Sequence, residues 1–223
     1  MFKVAIATSF MDRPCPEYTV SMVELVLYFA QTQIYEGCKD QGFRYLTPES
    51  ACVLSANRER HADAFLETDC THLCFIDADM AFERNILHVL ASRKVPYAAV
   101  NYSMKRRKDT EFTALTLDKK TRVWSGEGTT GIEECDFTGF GMALIERKVI
   151  EAIPKPRFLI GYNTVTENYT TEDAPFCHRV REAGFPVYVD HDATKLCWHM
   201  GSWAYRWEDV PKPKEVESEV TYG

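Results

Sequence analysis

Two carboxylates one residue apart, Asp77-Ala78-Asp79, follow a short apolar run, His72-Leu73-Cys74-Phe75-Ile76. On an extended chain residues i and i+2 point the same way, so both carboxylates face one site. A cation between them relieves their repulsion, and hard oxygen ligands suit Mg²⁺ or Mn²⁺. If the apolar run is a buried strand, the pair lies at its carboxyl end, where open α/β sheets bind ligands. A solvated strand end accounts for the same spacing, which recurs in Asp190-His191-Asp192. Thr171-Glu172-Asp173 opens a helical stretch. Acidic residues there complement the helix dipole, or one of them acts as a general base aimed into the cleft that the cation lines. In Cys197-Trp198-His199-Met200-Gly201, His199 is either a packed side chain or an imidazole that completes the carboxylate site. Phe137-Thr138-Gly139-Phe140-Gly141 makes a tight turn or lets the backbone come close to a ligand. The run Lys105-Arg106-Arg107-Lys108 is a solvated loop or a contact for an anionic group.

The elements that must position these residues are readable from apolar spacing. Residues 2–7 form a terminal strand, and 72–76 are the clearest buried strand of the chain. Apolar residues at Val23, Val26, Leu27, Ala30 and Ile34 predict a helix over 19–35, stopped by Gly37. A weak strand is expected at 43–46, a second amphipathic helix at 48–66, a helix at 83–92 and a strand at 97–101. This alternation of strand and helix argues for a parallel sheet covered on both faces. The second half reads differently. Strands are expected at 110–117 and 122–124 around a Lys119-Lys120 turn, and a strand-like run from Met142 leads into a short helix at 147–153. A helix over 171–183, capped by Thr171 and ended by Gly184, precedes a last strand at 187–189. From Glu208 the chain is Pro, Lys and Glu with little to bury, and a mobile tail is expected over 208–223.

Composition narrows the class. With 223 residues, 45% apolar and 26% charged, the chain has ordinary globular content and one domain as its prior. Its 26 basic and 33 acidic residues leave a net charge of −7. That balance disfavours sequence-independent nucleic-acid binding, which leans on many phosphate contacts. No apolar stretch reaches a membrane span and the start carries no signal-peptide pattern, so a cytoplasmic location, of the cell or of an infected host, is expected. The eight cysteines are dispersed without a Cys-x-x-Cys pair, which reads as reduced, mostly buried thiols.

Taken in order, the segments resemble the GT-A class of nucleotide-sugar glycosyltransferases, specifically small bacterial, phage or large-DNA-virus enzymes related to family 2. Thr71 to Met80 is similar to their metal-binding strand and Asp136 to Ile145 to their acceptor-side segment. Glu172 to Cys177, then Ala183 to Asp190, are similar to their Glu-Asp helix and following strand. The resemblance covers about residues 2 to 203. It implies an α/β fold in one Rossmann-like domain over 1–207, with a central mixed, mostly parallel sheet and helices on both faces. Residues 1–101 would be the nucleotide-binding half and 102–207 the acceptor half.

The activity implied is transfer of a sugar from a nucleoside-diphosphate sugar, a UDP-sugar above others, to an acceptor hydroxyl, with Mn²⁺ or Mg²⁺ as cofactor. By the same resemblance Asp79 binds the metal, Asp77 faces the ribose or diphosphate beside it, and His199 matches a metal-ligand position. Asp173, or secondarily Glu172, is the base. Thr8, Ser9 and Asp12 hold the nucleobase and ribose, and Arg58 and Ala78 belong to the donor-binding set. The acceptor is a glycan, a protein hydroxyl or a modified base. The pair Asp190 and Asp192 falls in the strand after the helix, which favours a structural role. A nucleotidyltransferase is the rival of similar fold. Ala7-Thr8-Ser9-Phe10-Met11-Asp12 lacks the glycine-rich loop such enzymes carry after the first strand. A catalytically silent sugar-binding module would be favoured only by loss of the acidic residues, which are present.

Overall fold

The computed structural model of the chain describes residues 2–9, 13–35, 41–46, 53–106, 110–163, 167–201 and 204–212. In the first half these form β1 (Phe2–Ala7), α1 (Pro16–Tyr35), β2 (Gln41–Leu46), α2 (Leu54–Leu66), β3 (His72–Ile76), β4 (Met80–Phe82), α3 (Ile86–Ser92) and β5 (Tyr97–Val100). In the second half they form β6 (Ile132–Glu134), β7 (Met142–Glu146), α4 (Arg147–Ala152), β8 (Gly161–Asn163), β9 (Asn168–Thr170), α5 (Asp173–Glu182) and β10 (Tyr188–Asp190). Then come α6 (His191–Thr194), β11 (Cys197–Met200), β12 (Ala204–Tyr205) and a 3₁₀ turn, Trp207–Asp209.

Seven strands make the central sheet in the order β2-β1-β3-β7-β5-β10-β6. β2, β1, β3, β5 and β10 run parallel, while β7 and β6 are antiparallel to their neighbours. The fold is therefore α/β with a mixed, mostly parallel sheet. Alternating side chains of β1 show why both faces are covered. Ala5 and Ala7 pack with Ala62 and Phe65 of α2, Val149 and Ile150 of α4 and Phe176 of α5. Val4 and Ile6 pack with Leu25 and Phe29 of α1 and Leu87 and Leu90 of α3. Strands buried on both faces read as continuous apolar runs, which is how β1 and β3 stand out in the sequence.

A small sheet, β12-β11-β4, is built off the end of β3. β4 takes Met80–Phe82, so the helix expected from residue 83 begins at Ile86 instead, and Glu83 donates its amide to the Leu196 carbonyl. Residues 110–117 and 122–124 pair through isolated bridges, such as Leu115 with Arg122, rather than as full strands. α5 begins at Asp173 with Glu172 as its N-cap, and Thr171 does not cap it: the Thr171 hydroxyl donates to the Asp173 carboxylate. At the C-terminal end Val210 is buried, at 8% exposure, so the chain stays packed past the expected tail boundary at Glu208. Residues 213–223 lie outside the described residues, as do Cys38 and Cys52. The six described cysteines are free thiols. Among the described residues no helix is long and apolar enough to cross a membrane.

Candidate functional site

The site begins where β3 ends. The Asp77 amide donates to the Gly141 carbonyl at 2.9 Å, continuing the antiparallel ladder with β7 one step beyond the strand. The chain then turns, Met80 N–H donating to Asp77 C=O at 3.1 Å, and the Ala78 carbonyl accepts from Cys15 N–H at 2.9 Å. This bond holds the loop after β1 against the Asp-Ala-Asp turn. β11 runs antiparallel to β4, with His199 opposite Met80, and Met200 N–H donates to the Asp79 carbonyl at 2.7 Å. The result is a His199 Nε2 to Asp79 Oδ2 distance of 3.5 Å. His199 Nδ1 lies 2.9 Å from the Ser103 carbonyl, which can only accept, so Nδ1 carries a proton. Tyr102 meets the same imidazole edge to face at 4.9 Å. The Lys105 ammonium also contacts Asp79 Oδ2. Desolvation would raise the Asp79 carboxyl, but His199 and Lys105 outweigh it and hold the group at about 2.

Arg58, on the buried face of α2, is 2% exposed. Its Nη2 donates to Asp77 Oδ1 at 2.9 Å and its Nε to Glu172 Oε1 at 2.7 Å. The guanidinium lies between Phe75 and Phe140, 5.2 and 4.6 Å from the ring centroids. One cation thus ties the end of β3 to the start of α5. Burial raises the Asp77 carboxyl, opposed by Arg58 and reinforced by the nearby Asp79 and Glu172 charges. Glu172 is 5% exposed and faces Arg58, whereas Asp173, the next residue, has among the described residues only the Thr171 hydroxyl and the Ala174 amide as hydrogen-bond partners. Burial pushes the Asp173 carboxyl up, against the Thr171 hydrogen bond.

No protein-family model matches the chain, and no curated protein matches it in sequence. Among solved structures, A197 from STIV is similar with a TM-score of 0.53 at 19% identity, covering 85% of this chain and 81% of that one. GalNAc-T7, solved with UDP, GalNAc and Mn²⁺, is similar with a TM-score of 0.53 at 11% identity, covering 91% of this chain and 45% of that one. The chain has the GT-A fold.

Within the GT-A fold the expected site residues divide into those that face the end of β3 and those that stand behind it. Asp79 and His199 come together and Asp77 turns to Arg58. Arg58 itself is enclosed behind the end of β3, between Asp77 and Glu172. Thr8 is buried and its hydroxyl is shared with Tyr18 Oη at 2.5 Å, while the buried Ser9 hydroxyl has no hydrogen-bond partner among the described residues. Asp12, Arg107 and Lys108 lie outside the described residues. The second acidic pair is structural. Asp190 Oδ1 caps α6 through the Asp192 and Ala193 amides, and Arg93 chelates Asp190 at 2.7 and 3.0 Å. The glycines near 140 serve packing: a Cβ at Gly139 or Gly141 would collide with the Tyr102 ring.

The pair Asp79 and His199 fits a divalent cation. With Nδ1–H committed to the Ser103 carbonyl, His199 presents Nε2 to Asp79 Oδ2 at 3.5 Å, and a divalent cation held between them would take the place of the Lys105 ammonium on that oxygen. Among the described residues no three His, Cys, Asp or Glu side chains gather as a closed metal cage. Mg²⁺-type sites often take only one or two carboxylates and leave the other positions to water and phosphate. Sequence reasoning missed Tyr102 and Ser103, which orient His199, and the pairing of Lys105 with Asp79. The basic run at Lys105 was visible, but its partner is 26 residues away across a turn.

Proposed function

We propose that the chain is a metal-dependent glycosyltransferase that moves a sugar from a nucleoside-diphosphate sugar to an acceptor hydroxyl. The observation that carries this reading is the meeting of Asp79 and His199 at the carboxyl end of β3 in a GT-A fold. The choice of a UDP-sugar and Mn²⁺ rests on the fold neighbour solved with UDP, GalNAc and Mn²⁺. Asp79 and His199 would hold the cation, which supplies positive charge for a leaving diphosphate. Asp77 would face the ribose or diphosphate with its exposed edge, Arg58 fixing its orientation from behind. The loop after β1, bonded to the Ala78 carbonyl and carrying the unpartnered Ser9 hydroxyl, is where the nucleoside would lie. Asp173 would take the proton from the acceptor hydroxyl. A carboxylate of raised pKa is a better base than an ordinary one, and among the described residues Asp173, unlike Glu172, forms no ion pair with a Lys or Arg. Free thiols suit a reducing compartment, which supports a cytoplasmic setting.

The test is thermal unfolding with a panel of nucleotide sugars, with and without Mn²⁺. A donor at 100 times its Kd stabilises by about 2.7 kcal/mol, which for a domain of this size raises the midpoint by roughly 5–10 °C. Asp79→Asn is expected to fold and to lose the Mn²⁺-dependent shift. A wild-type shift in Asp79→Asn, or no shift with any nucleotide sugar, would sink the reading.

A further inference from the structure

A cleft of about 700 Å³ opens in the second half of the chain, between the 110–124 hairpin-like segment and Val210–Lys212. No part of the donor or metal reading uses it. Its position ties it to the candidate site. Phe112, in its lining, bridges Ser103, whose carbonyl orients His199. Arg122, also in its lining, lies over Phe137 at 5.9 Å and feels the Asp173 charge.

The lining combines an aromatic wall with positive charge. Trp124 meets Phe112 edge to face at 5.6 Å and is half-exposed. Gly126 lets the indole lie against the chain, because a Cβ there would collide with it. Lys120, Arg122 and Lys212 line the cleft against one acidic residue, Glu111. Glu111 is already shared, at 3.2 Å from Arg106 and 3.9 Å from Arg122. Arg122 spends one further N–H on the Thr113 carbonyl at 2.8 Å. A net positive cleft is unexpected in a chain of charge −7. An indole face packs the C–H face of a pyranose, and a guanidinium receives a carboxylate or phosphate through two hydrogen bonds. The volume is that of an ordinary small-ligand site.

We propose that this cleft is an acceptor subsite for an anionic sugar unit, a uronate or a sugar phosphate, stacked on Trp124 with its anion on Arg122 and flanked by Lys120 and Lys212. This rests on the transferase reading and gives its acceptor a chemical class.

Isothermal titration of the full chain tests it with four probes: methyl β-glucuronide, glucose 6-phosphate, methyl β-glucoside and a short oligothymidylate. One of the two anionic sugars should bind about tenfold or more tighter than the neutral glucoside, the size of one charge-assisted hydrogen bond. Whichever binds tells uronate from phosphate. Arg122→Gln should reduce its affinity to that of the glucoside, and Trp124→Phe should weaken both. If Arg122→Gln does not fold, Lys120→Gln combined with Lys212→Gln, both at exposed positions, should weaken the anionic sugar alone. Equal binding of neutral and anionic sugars, tighter binding of the oligothymidylate, or indifference to these variants would overturn the proposal. UDP with Mn²⁺ is measured in parallel by thermal shift. A shift with UDP and Mn²⁺ but no binding of either anion overturns the cleft alone. Anionic sugar binding without a shift from any nucleotide sugar of the panel supports the anion site and overturns its role as an acceptor subsite together with the transferase reading.

Discussion

Glu172 and Asp173 are adjacent carboxylates in different chemical states. Glu172 is enclosed and neutralised by Arg58, and Asp173 is half-buried with a threonine hydroxyl and one amide for company. The sequence shows the pair and the helix start but not which member is quenched, because the quenching cation lies 114 residues away. Asp173 is therefore the proposed proton acceptor. Asp173→Asn is expected to lower turnover by about 10²–10⁴-fold, the usual weight of a general base, with donor affinity little changed. Glu172→Gln should leave turnover near wild type. It leaves the enclosed Arg58 with one charged partner, Asp77, instead of two, so the stability cost is about 1–3 kcal/mol. The pH profile adds a second readout. The active form of Asp173 is deprotonated and burial raises its pKa, so activity should fall on acidification at a higher pH than an exposed aspartate would set. A dead Glu172→Gln beside an active Asp173→Asn would reverse the assignment.

At the scale of elements, α2 carries an unusual buried face: Asn57, Arg58, His61, Ala62 and Phe65. His61 is 0% exposed, and neither ring nitrogen has a hydrogen-bond partner among the described residues. Desolvation, aided by the Arg58 charge, lowers its pKa to about 4. The unfolded chain takes up a proton near 6.5, whereas the folded chain resists until about 4, so stability is lost as pH falls through that window. The loss is about 2–3 kcal/mol between pH 7 and pH 4.5. His61→Leu should remove this share of the acid loss, read as a smaller change in urea midpoint between those pH values. An unchanged pH slope would show that His61 does not titrate this way. Such a helix explains what the sequence could and could not reveal. Its apolar stripe predicts a helix, but not that an arginine and a histidine share the stripe. β1, β3 and β5 are legible as apolar runs because both their faces are buried. β4, β11 and β12 are two to four residues long and are strands only because distant segments pair, which no local pattern encodes. Yet β4 and β11 bring His199 to Asp79, so that meeting was reached through resemblance rather than spacing.

For the whole molecule, Arg58 joins the two halves of the chain. Its ring and carboxylate partners are Phe75 and Asp77 before residue 101 and Phe140 and Glu172 after it. A donor-binding arginine would keep part of its guanidinium exposed for phosphate, whereas this one is 2% exposed with both carboxylates in place. The two roles predict different measurements. If Arg58 is a brace, Arg58→Met strands two carboxylates, one of them enclosed, and costs about 3–5 kcal/mol. At roughly 2–4 °C per kcal/mol for a domain of this length, the thermal midpoint falls by roughly 6–20 °C. Arg58→Lys should recover little, since a single ammonium cannot bridge two carboxylates with the geometry of a guanidinium. Pairing Arg58→Met with Glu172→Gln removes one stranded charge, so the double variant should be more stable than the sum of the single losses by about 0.5–3 kcal/mol. If Arg58 instead contacts the donor, Arg58→Met keeps its midpoint and loses nucleotide-sugar affinity, and the cycle shows no coupling to Glu172. Urea unfolding of the four proteins of that cycle, with donor affinity measured on each at a temperature where all are folded, separates the two.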